Sequence, residues 1–167
     1  MDFETLMRNK RKVYIQSANR FSPFVIHDSR AQFFQPIPSI EQDIKRVTDQ
    51  YAPNTIGVHI RRTDNILAIK SKPIEKYIAQ MNQEIEKDPG CRFYVASDDE
   101  QVKQDLIKEY GEKIISYRWD LRRNSEKGMQ NAVAELYCLG RTRKIIGSAH
   151  STYSTTAACL YGIPIVI

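Results

Sequence analysis

Cysteine is scarce in this sequence. Its 167 residues include three, Cys91, Cys138 and Cys159, and no two of them stand at the CxxC spacing. An odd number of thiols without that spacing argues against a disulfide framework and against a structural zinc site. We therefore expect three small core or partly buried thiols in a reducing compartment, which favours a cytoplasmic location.

Long apolar runs and several nucleotide motifs are also missing. No window approaches the ~18 apolar residues of a membrane span, and the start, Met1-Asp2-Phe3-Glu4, carries no signal-peptide core. There is no GxGxxG, no P-loop lysine motif and no Gly-x-Ser-x-Gly elbow. These absences disfavour ordinary dinucleotide binding, NTP hydrolysis and α/β-hydrolase chemistry.

The composition that is present fits one folded domain. Hydrophobic residues make up 41% of the chain, which is enough for a sizeable core. The net charge is +5, and the pI is about 9.1. This balance suits an anionic partner. Because charges of both signs alternate, as in Glu84-Ile85-Glu86-Lys87-Asp88, we expect local anion sites more than a broad basic face.

Apolar periodicity predicts strands alternating with helices from residue 55 onward. Before that point the pattern predicts a polar arm over residues 1–12, a short strand at Val13-Tyr14-Ile15 and a helix from Pro38 to about Gln50, capped by Ser39. The later strands are expected at Thr55–Ile60, Arg92–Ser97, Lys113–Ser116, Lys144–Gly147 and Ile163–Ile167, with helices between them. This order predicts an α/β fold, a Rossmann-like parallel sheet with helices on both faces.

In open parallel sheets, ligands bind beyond the carboxyl ends of the strands. Four predicted strand ends carry suitable polar groups: Arg61-Arg62, Asp98-Asp99, Tyr117-Arg118, and Ser148 to Ser154. These four segments are therefore the candidates for a binding site.

The paired arginines suit a phosphate, because a guanidinium group can donate two parallel hydrogen bonds. An ion pair with Asp64 is the alternative. Neighbouring strand residues point to opposite faces. Arg61 and His59 therefore share one face as the expected ligand pair, while Arg62 supports the loop from the other. His59 could equally be a half-buried histidine with its hydrogen bonds satisfied.

The other candidates each have a plain structural alternative. Asp98 and Asp99 could grip a nucleotide, or Asp98 could cap the next helix with Gln101 in a capping box; two adjacent carboxylates are weak evidence for a metal. The hydroxyls and free N–H groups from Ser148 to Thr155 could bind an anion, or simply cap a helix. Glu135 lies in the predicted helix Ser125–Leu139, where its position beside Leu136 allows it to face solvent.

Four segments of the sequence, three of which include these strand ends, together resemble a known family. Ile56-Gly57-Val58-His59-Ile60-Arg61-Arg62-Thr63-Asp64 resembles the signature of the fucosyltransferases that include the α1,6, Nod-factor and protein O-fucosyltransferases. Three weaker matches follow in the family's order: Pro73-Ile74-Glu75-Lys76-Tyr77, Phe93-Tyr94-Val95-Ala96-Ser97-Asp98-Asp99, and Ile145-Ile146-Gly147-Ser148 through Ser151-Thr152-Tyr153-Ser154. The resemblance covers residues 55–167.

The resemblance implies the carboxyl-side, donor-binding domain of a GT-B glycosyltransferase. It further implies GDP-fucose as donor, a glycan or protein hydroxyl as acceptor, inversion at the anomeric carbon, and neither a metal nor another cofactor. Carried over by position, Arg61 would be catalytic, stabilising the departing β-phosphate. The other implied donor contacts are Arg62, His59, Asp98, Asp99, Glu135, Ser148, Ser151 and Thr152. Glu135 departs from the family, which has an aspartate there in its α1,6 members, and Asn65 replaces their common lysine.

The sequence also predicts an incomplete enzyme. Residues 1–54 are interpreted as an arm, strand and helix leading into a nucleotide-sugar-binding domain at residues 55–167. Neither segment corresponds to an acceptor domain, so the chain is expected to be a fragment of the enzyme. The competing hypothesis is a non-catalytic module that binds nucleotides or polyanions. Nucleic acid is disfavoured as a partner because aromatic and basic residues are not interleaved as in single-strand binders.

Overall fold

The computed structural model describes residues 34–117, 119–120, 122 and 124–167. The predicted arm and the strand at Val13-Tyr14-Ile15 lie outside these residues. Within them, strands and helices alternate in the order α1 Pro38–Thr48, β1 Ile56–Ile60, α2 Ile66–Ser71, α3 Ile74–Lys87, β2 Phe93–Ser97, α4 Glu100–Tyr110, β3 Ile114–Ile115, α5 Glu126–Gly140, β4 Ile145–Ile146, α6 Thr152–Tyr161 and β5 Ile165–Val166.

The five strands form one parallel sheet in the order β3-β2-β1-β4-β5. At its centre, Val58 of β1 is paired with Val95 on one side and with Ile146 on the other. The chain builds outward from β1 through β2 to β3, and then returns to the other side of β1 with β4. The order therefore reverses between β1 and β4, and such a switch point leaves a crevice at the carboxyl ends of the strands.

Helices cover both faces of this sheet, as the alternation predicted. Ile56, Val58 and Ile60 point toward the core shared with α3 and α4. On the other face, Tyr94 and Ala96 belong to the core shared with α1, α5 and α6. Both core clusters consist of residues almost wholly removed from water. This two-sided burial explains why the strands are continuous apolar runs.

Helix α1 begins one residue earlier than its predicted cap. Ile37 occupies the N-cap position, Pro38 fills the first turn, and no side chain caps the helix. The prediction that Ser39 caps α1 is therefore wrong. The proline supplies the start instead, because its fixed φ suits the first helical position and it has no N–H to satisfy. Ile44 and Val47 are buried, as the predicted apolar face required.

The short helix α2 was not predicted. Its six residues, Ile66–Ser71, leave both Ile66 and Leu67 about 65% exposed, so no apolar face marks it in the sequence. The local signal is Asn65, whose side-chain oxygen accepts a hydrogen bond of 3.0 Å from the Ala68 amide. Asparagine is a favoured N-cap because it satisfies a helix amide that has no partner within the helix.

Helices α5 and α6 meet closely at a glycine. A Cβ atom on Gly140 would lie 2.2 Å from the ring of Tyr161, so no larger residue fits at this crossing. This close approach joins the carboxyl end of α5 to the carboxyl end of α6.

Cys91 and Cys138 are buried free thiols, whereas Cys159 is exposed, contrary to the expectation of burial. In the described part of the chain, every helix is too short or too polar to cross a membrane.

Candidate functional site

A cleft that opens to solvent lies at the carboxyl end of β1, on the sheet face covered by α5 and α6. It occupies the place where the strand order reverses. Four of the residues predicted from the sequence line it, together with aromatic and polar groups from the segments that follow β3 and β4. The lining comprises His59, Arg61, Asp98, Trp119, Asp120, Gly128, Met129, Asn131, Ala132, Glu135 and Tyr153.

Arg61 is held at the rim of the cleft by two carboxylates. Its Nε atom lies 3.2 Å from Oδ2 of Asp98, and its Nη2 atom lies 2.6 Å from Oδ1 of Asp64. The ion pair with Asp64, which was the alternative to phosphate binding, is thus present. It does not bury the arginine, because 24% of the side chain remains exposed. The guanidinium group is therefore both oriented and accessible.

The carboxylate of Asp98 organises the loop that follows β1. It accepts hydrogen bonds from the amide of Arg62 at 2.7 Å, from the amide of Thr63 at 3.3 Å and from the hydroxyl of Thr63 at 2.6 Å. Hydrogen bonds to an ionised acceptor are among the stronger ones in proteins. Asp98 therefore fixes both the backbone beside Arg61 and the arginine itself.

Capping of α4 falls to Asp99. Its side chain accepts a hydrogen bond of 2.9 Å from the Gln101 amide, and the helix begins at Glu100. The prediction that Asp98 caps this helix with Gln101 is wrong by one residue, because the strand continues to Ser97 and Asp98 turns toward the arginine loop. Asp98 thus orders the loop after β1, whereas Asp99 caps α4.

His59 faces the cleft from β1 and is only 4% exposed. Its Nδ1 atom has no hydrogen-bond partner, and its ring centroid lies 5.0 Å from that of Tyr153. Burial lowers the pKa of His59 to about 4, so the imidazole is neutral near pH 7. This is not the satisfied histidine of the alternative interpretation; it presents an unused nitrogen in a buried position.

Glu135 forms part of the cleft wall, and the prediction that it faces solvent is wrong. It is 8% exposed, whereas the apolar Met129 and Val133 of the same helix are 54% and 39% exposed. Its nearest cation is Lys103 of α4, whose Nζ lies 3.5 Å from Oε1 of Glu135. Burial raises the pKa of Glu135 to about 7, while the charge of Lys103 opposes that rise.

Arg62 and Ser148 lie away from the cleft. The guanidinium carbon of Arg62 is 5.9 Å from the ring centre of Tyr77, and Arg62 borders a depression beside α3 and α4. Ser148 is buried next to the same tyrosine, and its hydroxyl makes no hydrogen bond of ordinary geometry. Both side chains therefore belong to the α3 face of the sheet, as the alternation of the strand predicted for Arg62.

Ser151 and Thr152 stand at the start of α6 but do not line the cleft. Ser151 is the N-cap residue and makes no capping hydrogen bond, and Thr152 borders a separate apolar groove between α5 and α6. The segment is tied to the arginine loop by Asn65, whose Nδ2 donates to the carbonyl of His150 at 2.9 Å. His150 has a left-handed backbone, with φ at 53°. Asn65 thus joins two candidate anion-binding segments.

Several lining residues were not predicted from the sequence. Tyr153 lies inside the predicted anion-binding segment, and its ring packs on His59. Trp119 and Asp120 follow β3 at a predicted strand end, where only Tyr117 and Arg118 were singled out. The burial of Lys103 could have been predicted, because it precedes the buried Leu106 by three residues and so lies on the same face of the helix.

The described residues contain no group of three or more histidine, cysteine, aspartate or glutamate side chains arranged to hold a metal ion. The cleft combines one guanidinium group, the carboxyl groups of Asp98, Asp120 and Glu135 and a neutral histidine, with aromatic rings as walls. A site of this composition suits a ligand with an anionic end and a planar, hydrogen-bonding end.

Comparisons with known proteins agree with this fold. The structure resembles that of NodZ α-1,6-fucosyltransferase co-crystallised with GDP, with a TM-score of 0.52 and 18% identity. It also resembles the same enzyme soaked with GDP-fucose, with a TM-score of 0.52 and 20% identity, and POFUT1 in complex with GDP, with a TM-score of 0.56 and 13% identity. The fold is fucosyltransferase-like.

The matches cover 72%, 77% and 77% of this chain but only 40%, 43% and 46% of those proteins. The chain therefore spans less than half the length of each of the three. No protein-family model matches the sequence, and no curated protein matches it. At these identities the comparison establishes the Rossmann-like architecture alone.

Proposed function

We propose that this chain is the donor-binding domain, residues 55–167, of a GT-B glycosyltransferase that transfers fucose from GDP-fucose. The observation that carries the proposal is the convergence of Arg61, Asp98, His59 and Glu135 on one cleft at the switch point of the sheet. Two neighbours with this fold have structures with GDP, and one was soaked with GDP-fucose. The family signature supplies His59 and Arg61, and one of the weaker matches supplies Asp98.

The diphosphate binds at Arg61. Its guanidinium group is oriented by Asp98 and remains partly open, which leaves it able to meet phosphate oxygens. The first turn of α6, whose Tyr153 lines the cleft and which Asn65 ties to the arginine loop, brings the positive end of a helix dipole toward the site. Both features stabilise a negative charge without a metal ion, as the metal-independent mechanism requires.

The base binds deeper, against Glu135. Guanine presents two adjacent N–H donors along one edge, and a carboxylate can accept both. Oε1 of Glu135 is buried and makes no hydrogen bond within the described residues, although Nζ of Lys103 lies 3.5 Å from it, so the carboxylate retains acceptor capacity for a ligand. Adenine has no such pair of adjacent donors, and uracil has a single N–H flanked by carbonyls. Glu135 therefore favours GDP over ADP and UDP.

Transfer follows from the placement of the phosphate. The acceptor hydroxyl oxygen bonds to the anomeric carbon from the face opposite GDP, and the bond from that carbon to the β-phosphate oxygen breaks. The electron pair leaves with GDP, and the hydroxyl proton passes to a base. Arg61 stabilises the charge that develops on the departing phosphate, and removing one such donor typically costs roughly 100- to 1000-fold in rate. The acceptor, a glycan or protein hydroxyl, is bound by a partner domain.

Titration calorimetry with a panel of nucleotides tests this function on the chain as it stands. We expect GDP and GDP-fucose to bind at least about tenfold more tightly than ADP, UDP or GMP, because GMP lacks the β-phosphate and the other two lack the guanine edge. Equal affinity for all four nucleotides would overturn the assignment. Salt-sensitive binding to heparin without nucleotide preference would instead support the non-catalytic polyanion module.

A further inference from the structure

Lys103 is an unusual lysine, because it is fully buried within α4. Its Nζ atom makes no hydrogen bond in the part of the chain described. An ammonium group is strongly destabilised when it is moved from water into a protein interior unless it is paired. Its ion-pair partner in this structure is Glu135, at 3.5 Å. The charge of Lys103 therefore acts mainly on the Glu135 carboxylate.

Glu135 stands between Lys103 and the cleft. Asp98, after β2, is the nearby anion, and it raises the pKa of Glu135 as burial does. Uncharged phenol and thiol groups also face it, from Tyr94 of β2, Cys138 of its own helix and Tyr153 of α6. Arg61 and His59 line the same cleft. Lys103 is the cation that lowers the pKa of this carboxyl.

We propose that Lys103 is a positioning residue, which holds the Glu135 carboxylate ionised and directed toward the cleft and thereby sets the pH range over which the site accepts the N–H donors of a nucleotide base. This inference rests on the proposed function for its ligand. Lys103 does not line the cleft, so it acts through Glu135 alone.

The direction of the effect follows from the charges. Burial and Asp98 favour the neutral acid, and Lys103 opposes them. Without the ammonium group the pKa of Glu135 rises above 7, and the carboxyl is largely protonated at neutral pH. A protonated carboxyl has lost half of its acceptor capacity. Starting from half ionisation at pH 7, the first further unit of pKa reduces the ionised fraction, and with it the GDP affinity, roughly fivefold, and each later unit reduces it about tenfold.

The test measures GDP affinity by calorimetry from pH 6 to pH 9 for the wild type, Lys103→Met, Glu135→Gln and the double variant. Methionine matches the lysine stem in length, and glutamine matches glutamate in shape. We expect the pH midpoint of binding to rise by one unit or more in Lys103→Met. The step should be absent in Glu135→Gln, which retains the titration of the GDP phosphate and so serves as the control.

The double variant decides whether Lys103 acts through Glu135. We expect it to bind GDP as Glu135→Gln does, with no added loss. An equal loss of affinity from Lys103→Met in both backgrounds would show a merely structural role and would overturn the inference. Because both substituted side chains are neutral, the double variant also remains foldable if Lys103→Met alone leaves an unpaired buried charge.

A second readout separates this inference from the proposed function. The Glu135 carboxyl carbon can be titrated by NMR in the ligand-free wild type and in Lys103→Met, with Glu135→Gln to assign the resonance. An upward shift of its pKa in Lys103→Met supports the positioning role even if the protein shows no preference for GDP. An unchanged pKa overturns that role even if GDP is the preferred ligand.

Discussion

The carboxylate of Asp98 lies 3.2 Å from Nε of Arg61 while accepting three hydrogen bonds from the next two residues of the same loop. One side chain at the end of β2 thus fixes both the position of the loop after β1 and the direction of its guanidinium group. The pairing of β1 with β2 carries this geometry, since Ile60 and Ser97 are opposite one another at the end of the ladder. Preorganisation of this kind lowers the entropy lost when a phosphate binds.

Asp98→Asn tests this arrangement. Asparagine keeps the shape of aspartate but has no charge. Its NH₂ group would face the N–H and O–H donors that the carboxylate of Asp98 now accepts from. We expect GDP affinity to fall roughly 10- to 100-fold and the free energy of unfolding to fall by about 2 kcal/mol, since hydrogen bonds to a charged group contribute about 1.5–3 kcal/mol. Calorimetry and urea denaturation measure the two effects.

The neighbouring aspartate supplies the matched control. Asp99→Asn retains the helix cap, because asparagine and aspartate cap equally well, and should change stability by less than about 0.5 kcal/mol. If Asp99→Asn weakens GDP binding as much as Asp98→Asn does, the carboxylate of Asp99 contacts the ligand and the division of roles between the two residues is incorrect.

Substitutions of Arg61 and Arg62 should likewise differ in their effect on GDP affinity. Arg61→Met removes the accessible guanidinium group, and we expect a loss of roughly 10- to 100-fold in GDP affinity. Arg62→Met removes a cation that packs near Tyr77 on the other face of the sheet. It should change the affinity less than about threefold while lowering the unfolding free energy by about 1 kcal/mol. Comparable losses of affinity in both variants would place Arg62 on the ligand.

The alternating apolar runs were sufficient to predict the parallel sheet and the two layers of helices. Every predicted strand from Thr55–Ile60 onward is present, with ends that differ by one or two residues. The strand alternation also placed Arg61 and Arg62 on opposite faces correctly. These features depend on local periodicity, which the sequence displays directly.

The errors concern groups whose surroundings come from distant parts of the chain. The position of Glu135 beside Leu136 allowed it to face solvent, but the buried residues of α5 include Asn131, Ala134 and Glu135. Asp99, and not Asp98, caps α4. The carboxylate of Asp98 instead accepts a hydrogen bond from the amide of Arg62, 36 residues earlier in the chain. Neither outcome can be derived from spacing along one helix.

Asn65 offers a separate test of the link between the arginine loop and the start of α6. Asn65→Ala removes both the α2 cap and the hydrogen bond to His150, whereas Asn65→Ser keeps a capping oxygen but is too short to reach that carbonyl. We expect both variants to weaken GDP binding about equally, by roughly three- to tenfold, because the loss of one neutral hydrogen bond is involved. Only the alanine variant should lose about 1 kcal/mol of stability. Full affinity in Asn65→Ser would show that the link does not shape the phosphate site.

The pH dependence of stability should reveal two buried groups that act in opposite directions. The pKa of Glu135 is raised from 4.5 to about 7, so the folded protein binds more protons than the unfolded chain between these values, and its contribution is lost as the pH rises through that window. The pKa of His59 is lowered from 6.5 to about 4, so its contribution is present above pH 6.5 and is lost as the pH falls toward 4. Each shift corresponds to about 3 kcal/mol.

Because the two windows overlap, the opposing slopes largely cancel in the wild type between about pH 4.5 and 6.5. Removing one group should reveal the pH dependence of stability that is due to the other. Urea denaturation of Glu135→Gln should show stability rising steeply from pH 4.5 to 6.5, relative to the wild type, as His59 loses its proton in the unfolded chain. His59→Gln should show the reverse, a stability that falls over the same range and levels off only above pH 7. Parallel curves for Glu135→Gln and the wild type would mean that Glu135 has the same pKa in the folded and unfolded protein, which would contradict the raised pKa of this carboxyl.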